Sequence, residues 1–290
     1  MEVERCSSPE DFLASSITYR ANQPVRTNVI GSVAVSVVEG ARSYDGYWWW
    51  IVRDDHGDVV GAAMRTAPFG LQLGPMPIEA AQLLARAVAK ADDGFPWLAG
   101  PETLVKAFLR AYGEEGSPGS IRGAVRGRTS LLYELDELVA PDVEGEPRVA
   151  TVEDFELVDQ WTLDFQEYID GVSHTPTEQD RRSLMERLSA GSRWLWCAEG
   201  VAVSMAGHAL SVATPSGLVT RVGPVFTPAD HRRRGYGSAV TASLSATLRA
   251  SGSRVMLYAD AANPTSNSIY QKLGYRLVDD SVQYDLVPIA

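Results

Sequence analysis

The chain has 290 residues, room for one large domain or two small ones at about 100–200 residues each. Hydrophobic residues make up 45% and charged residues 22%, which suits a packed core and excludes wholesale disorder. With 26 basic and 37 acidic residues the net charge is −11, which argues against a nucleic-acid binder or a protein held to anionic membranes.

The acid excess is uneven. Residues 1–147 carry 13 basic and 21 acidic side chains (−8), and residues 148–290 carry 13 and 16 (−3). The two cysteines, Cys6 and Cys197, cannot build a disulfide framework, so a reduced, cytoplasmic protein is expected. The acidic start Met1-Glu-Val-Glu-Arg-Cys6 lacks the apolar stretch of a signal peptide, and no run of 18 apolar residues exists to span a membrane. The four histidines are scattered without zinc-ligand spacing, so no metal is expected.

In chain order the pattern predicts an early helix at Pro9–Tyr19 and a tryptophan-rich strand at Tyr47–Arg53. The run Trp48-Trp49-Trp50 reads as strand core and lobe interface, because aromatic side chains favour half-buried strands. Asp54-Asp55-His56-Gly57-Asp58 reads as a turn into a strand at Asp58–Thr66. A short strand near Phe69–Gly74 and a helix at Ile78–Ala91 follow. Pro141-Asp-Val-Glu-Gly-Glu-Pro147 is acidic and bounded by prolines, a natural linker. Beyond it the order of elements recurs: helix Val152–Tyr168, strand Arg193–Ala198, strand Val201–Leu210, strand Gly217–Phe226 and helix Gly235–Ala250. The element order thus reads as a weak internal repeat.

Residues 217–290 carry the chemistry. A strand ending at Phe226 feeds Ala229-Asp-His-Arg232-Arg233-Arg234-Gly235-Tyr236-Gly237-Ser238, which opens a helix. The first N–H groups of a helix lack internal partners and lie at its positive end. Glycines at 235 and 237 allow close backbone approach, so the loop suits a phosphate or pyrophosphate. No Walker loop is present, and Val240 at the third position breaks a dinucleotide fingerprint. After the next strand, Arg254–Tyr258, comes Asn263-Pro264-Thr-Ser-Asn267-Ser-Ile269-Tyr270-Gln-Lys-Leu273-Gly274-Tyr275. Asn263 suits an N-cap and Pro264 the first helical position.

Arg232-x-x-Gly235-x-Gly237 followed by this Asn263–Tyr275 segment resembles the GCN5-related N-acetyltransferases (GNAT). The resemblance is firm from Val149 onward and weaker before it. It implies an α+β (α/β) fold of two similar lobes, 1–145 and 148–290, each a mixed, mostly antiparallel sheet flanked by helices. It further implies acetyl-CoA as co-substrate, with backbone groups of Val225, Phe226 and Thr227 along the pantetheine. Arg232, Arg233, Arg234, Gly235, Tyr236, Gly237 and Ser238 would lie at the pyrophosphate, with Asn263 and Asn267 nearby. Tyr270 would protonate the departing thiolate, since a phenol of pKa about 10 keeps its proton at neutral pH. Glu167 and His208 are the candidate bases for the amine, Asp260 a further carboxylate near the splay. Arg221 suits an acidic substrate or a neighbouring acid. In the first half, Gly74-Pro75-Met76-Pro77-Ile78-Glu79 offers no arginine and few donors, so that lobe is expected to hold no acetyl-CoA. The expected partner is a small-molecule or peptide amine, with no nucleic acid or membrane, on a monomer or homodimer. The alternative is an acyl-CoA-binding sensor without turnover.

Overall fold

The structure is a computed structural model and describes residues 1–91, 94–114 and 121–288. The first half begins with β1 (Glu2–Arg5), α1 (Pro9–Ser15) and α2 (Ile17–Asn22). The expected single helix breaks at Ser16, whose hydroxyl donates to Phe12 O at 2.6 Å, while the Ser8 side chain caps α1. Next comes α3 (Asn28–Val38), a valine-rich helix that propensity does not announce; Ile30, Val33 and Ala34 bury it. Then follow β2 (Tyr47–Arg53), β3 (Val59–Thr66), β4 (Leu71–Leu73), α4 (Ile78–Lys90), β5 (Trp97–Gly100), α5 (Glu102–Glu114) and β6 (Ile121–Leu135).

The second half contains β7 (Glu146–Val149), α6 (Phe155–Asp170), α7 (Glu178–Ser189), β8 (Arg193–Ala198), β9 (Val201–His208) and β10 (Val212–Thr214). It continues with β11 (Gly217–Phe226), α8 (Tyr236–Ala250), β12 (Ser253–Asp260), α9 (Pro264–Lys272) and β13 (Tyr275–Pro288). The fold is mixed, mostly antiparallel sheet flanked by helices, as expected.

The strands form one sheet in the order β1-β2-β3-β4-β5-β13-β6-β12-β11-β9-β8-β7, with β10 beside β11. The two halves interlock at its centre. β13, the last strand of the second half, pairs with β5 of the first, from Val282↔Gly100 to Asp285↔Trp97. β6, the last strand of the first half, pairs with β12 of the second, from Met256↔Glu134 to Asp260↔Ser130. The two exchanged strands also run antiparallel to each other from Tyr275↔Leu135 to Val287↔Gly123.

Each half has a core on both sheet faces. In the second half, Val222, Val240, Leu244, Leu257 and Tyr275 pack under α8 and α9, while Phe155, Trp161, Leu195, Met205 and Phe226 pack under α6 and α7. Val25, Leu132, Val219 and Met256 join the halves. Trp49 and Trp50 are 1% and 3% exposed on opposite faces of β2. They are strand core as expected, but β2 lies next to the sheet's outer edge and not at the lobe junction. Residues 54–58 form the expected turn, with Asp54 Oδ1 accepting from the N–H groups of His56 (2.9 Å) and Asp58 (3.0 Å). No helix among the described residues is long and apolar enough to cross a membrane.

Candidate functional site

β11 and β12 run parallel and stay paired only from Leu218↔Ser253 to Val222↔Leu257. Beyond that point β12 continues to Asp260, whereas β11 shifts register against β9 between Val222 and Val225. A bulge re-aims a strand. Here it opens a splay and leaves one edge of residues 223–227 without a strand partner. The Phe226 ring is buried 6.3 Å from Trp161, so this residue offers the splay backbone and not side chain. Ser204 Oγ donates to Phe226 O (3.0 Å) and lies 2.8 Å from Thr227 Oγ1, which fixes where the strand ends.

The basic loop then turns into α8. Gly235 sits at the N-cap with φ +86°, a left-handed conformation that favours glycine, and a Cβ there would fall 2.8 Å from Val143 Cγ2. No side chain caps α8, so the N–H groups of Tyr236, Gly237 and Ser238 start the helix unclaimed; the Ser238 hydroxyl instead donates to Gly235 O at 2.6 Å. The three arginines divide. Arg232 folds back, its Nε donating to Thr227 O at 2.9 Å and its guanidinium resting 5.5 Å from the Tyr168 ring centre. Arg233 and Arg234 are exposed.

α9 lies beside the splay. The Asn263 side chain accepts from Ser266 N–H (3.0 Å) as the N-cap. The Asn267 amide donates to Asp260 O and Asn263 O, both at 2.9 Å, and accepts from Tyr133 Oη at 3.2 Å. Both asparagines therefore hold the helix in place. Gly274 ends the turn after α9 at φ +92°, where a Cβ would collide with the Glu137 carbonyl. Tyr270 is half-buried against the core that contains Val222 and Leu257, the last pair before the splay, with its ring 6.4 Å from Tyr133 and 6.0 Å from Tyr275. Burial pushes its pKa up to about 12. Among the described residues its hydroxyl has no hydrogen-bond partner.

The candidate bases are placed less favourably. Glu167 is exposed near the end of α6 and accepts from Ser173 Oγ at 2.8 Å. Asp260 accepts from Ala262 N–H at 2.8 Å and shapes the turn into α9. His208 Nδ1 lies 2.9 Å from Ala209 O. A carbonyl only accepts, so Nδ1 carries the hydrogen and Nε2 keeps its lone pair. Burial, with the Arg193 charge, lowers the His208 pKa. Among the described residues no group of His, Cys, Asp and Glu is gathered as for a metal ion.

Two participants escaped the sequence reading. Tyr133 reaches the site from β6 of the first half, and Tyr168 clasps Arg232 and receives the Asn263 amide at 3.5 Å. The signal for Tyr133 was a β-rich run, Thr129-Ser-Leu-Leu-Tyr133; for Tyr168 it was only an aromatic at a helix end.

Residues 209–284 match the model of the FR47-like protein family. The chain also superposes along its full length on solved structures. An acetyltransferase of the GNAT family from Colwellia psychrerythraea aligns with 99% of this chain and 100% of its own, at a TM-score of 0.63 and 10% identity. This is the GCN5-related N-acetyltransferase fold, in tandem. The GNAT protein from Sphaerobacter thermophilus covers 99% of this chain and 96% of its own at a TM-score of 0.59 and 15% identity. A tandem GNAT protein from the clavulanic acid biosynthesis pathway covers 98% of both chains at 0.56 and 15%. No curated protein matches the sequence.

Within this fold the first lobe's counterpart of the basic loop is different. The four residues Gly74–Pro77 link β4 to α4, Tyr19 Oη donates to Pro75 O at 2.7 Å, and a Cβ at Gly100 would fall 2.9 Å from Leu73 Cβ. Prolines 75 and 77 have no N–H to offer an anion. Leu73 and Gly100 thus stay close at the end of β4 and β5, whereas β11 and β12 part.

Proposed function

We propose that the second lobe is an acyl-CoA-dependent N-acyltransferase, with acetyl-CoA as donor and a primary amine as acceptor. One juxtaposition carries this reading: the β11–β12 splay begins at the core that holds Tyr270, and its mouth leads to the uncapped, glycine-started α8. The residues present fit a CoA thioester, which supplies an activated acyl carbon. The unclaimed N–H groups of α8, with Arg233 and Arg234, hold the pyrophosphate. The free edge of Val225, Phe226 and Thr227 takes the pantetheine amides as a strand would. The Tyr270 hydroxyl keeps its proton at neutral pH and has a free donor to give to the leaving sulfur. For the amine's proton, His208 Nε2 and Glu167 are the available acceptors.

The test pairs binding with turnover. Tyr270→Phe should lower kcat for release of free CoA by about 10²–10⁴-fold while acetyl-CoA affinity stays near wild type. Undiminished kcat in this variant would remove the assigned role. The occupied side chains of Glu167 and Asp260 favour a second reading, an acyl-CoA-binding protein without turnover. Acetyl-CoA binding with no transfer to any member of a broad amine panel would select it.

A further inference from the structure

α8 and α9 cover one face of the splayed sheet; on the opposite face four arginines converge. Arg193, at the start of β8, is 2% exposed and lies across Gly207 of β9. A Cβ at Gly207 would fall 2.6 Å from Arg193 Nη1 and 3.0 Å from its Cζ, so glycine is what lets the guanidinium lie over the strand toward β11. Its Nη1 donates to Ser192 O (3.0 Å), Ser192 Oγ (3.4 Å) and His208 O (3.5 Å), while the buried Nε has no partner. Arg221 stands on β11 one residue before the splay. Its neighbour Val222 packs beneath α8, so strand alternation turns Arg221 to the arginine face. Arg187 is in the last turn of α7, and its carbonyl receives both the N–H and the hydroxyl of Ser192 at 3.0 Å. Arg42 arrives from the first half just after α3, with Nη1 donating to Tyr44 Oη at 3.3 Å. α3 is docked here by Asn28, whose amide donates to Val219 O at 3.3 Å.

These cations are close enough to disturb one another. Burial first, and then the Arg42 charge, pushes Arg187 down to about 10; burial, Arg187 and Arg42 push Arg193 down to about 9. Arg221 is lowered by burial and by Arg42. Among the described residues none of the four has a carboxylate at ion-pair distance. The acid that Arg187 feels, Asp180, is engaged in the capping box of α7. Arg193 is buried and the other three are half-buried; like charges so withdrawn from water without a counter-ion are costly, and an entering anion relieves that cost.

We propose that Arg42, Arg187, Arg193 and Arg221 form an oxyanion subsite, so that the acceptor is an amine bearing a carboxylate or phosphate, bound on the sheet face opposite α8. The planar guanidinium fork matches either group. With its anion held there, the acceptor's amine is turned toward the splay from the side that the pyrophosphate loop leaves free. The assignment of this ligand as the acceptor rests on the acyltransferase reading; the anion site itself does not.

Thermal denaturation tests the subsite directly, in phosphate, in glutamate and in chloride at matched ionic strength. Wild type should melt higher in phosphate or glutamate than in chloride. Arg42→Gln and Arg221→Gln, which leave the α8 loop untouched, should lose that rise yet melt no lower than wild type in chloride, because each relieves repulsion. A response to phosphate alone assigns a phosphorylated amine, and one to glutamate alone a carboxylate-bearing amine. No anion-specific rise in wild type, or an undiminished rise in both variants, overturns the subsite. For turnover, the anionic member of matched amine pairs (an amino acid against its amide, a phosphorylated amine against its alcohol) should be preferred by about 10–100-fold in kcat/KM. Equal use of both members overturns the acceptor assignment and leaves the acyltransferase reading standing. Anion binding without acetyl-CoA binding overturns that reading and leaves the subsite.

Discussion

Half-buried Tyr270 packs beside the fully buried rings of Tyr133 and Tyr275. Tyr275 gives its hydroxyl to a contact with Ser245 Oγ at 2.7 Å, and Tyr133 donates to Asn267, which leaves Tyr270 as the uncommitted phenol of the three. Its pKa of about 12 lies above the ordinary phenol value near 10, because burial disfavours the phenolate. The folded state thus holds this proton more tightly than the unfolded chain. The associated stability is complete below pH 10 and is lost as pH rises from 10 through about 12. For activity the same sign applies: kcat measured from pH 7 to 10 should show no falling limb from Tyr270. A Tyr270-dependent fall centred near pH 8–9, absent in Tyr270→Phe, would contradict the protonation state assigned here.

The decisive element is the start of α8. Four other helical segments, α1, α7, α9 and the short turn before α6, are capped by Ser8, Thr177, Asn263 and Thr151. α8 begins instead on a left-handed glycine packed against Val143 of the acidic linker. Gly235→Ala combines an unfavourable φ with a steric conflict. It should destabilise the protein by roughly 1–2 kcal/mol or more and weaken acetyl-CoA binding, read by thermal denaturation and by titration calorimetry. Unchanged affinity with lowered stability would show that the loop has only an architectural part. The glycine, the arginines and the helix pattern are neighbours in sequence, so this element was legible there. That Arg232 folds back along the surface onto Thr227 and Tyr168 was not, because Tyr168 lies on a different helix.

At the scale of the molecule, the exchanged strands make the lobes interdependent. β12 takes β6 as its neighbour and β13 lies between β5 and β6, so residues 148–290 alone would leave one edge of β12 and both edges of β13 without these partners and would lack Tyr133. Expressed alone, that fragment should be insoluble or self-associated in size-exclusion chromatography. Co-expression with residues 1–145 should restore a soluble complex that binds acetyl-CoA. A monomeric fragment with full affinity would refute this interdependence. The same closeness of the halves brings Arg42 to Arg187, Arg193 and Arg221, which no reading of either half by itself suggests.

The amino-acid order by itself determined the turn at 54–58, the start of α4 and the segment from Gly217 to Tyr275, because caps, glycine conformations and 3.6-residue periodicity act over a few residues; the starts of α2, α3, α5 and α7 were not legible in it. It also marked the first half as lacking a phosphate loop, since prolines at 75 and 77 remove donors wherever the chain folds. Tertiary structure decided what depends on partners distant in sequence. The exchanged β6 and β13 have the same apolar alternation in any sheet, and only packing selects their neighbours. The freedom of the Tyr270 hydroxyl follows from which phenols around it find other partners. The arginine cluster exists because Arg42 is brought, by the docking of α3 on β11, to within reach of three cations that lie 145 or more positions away.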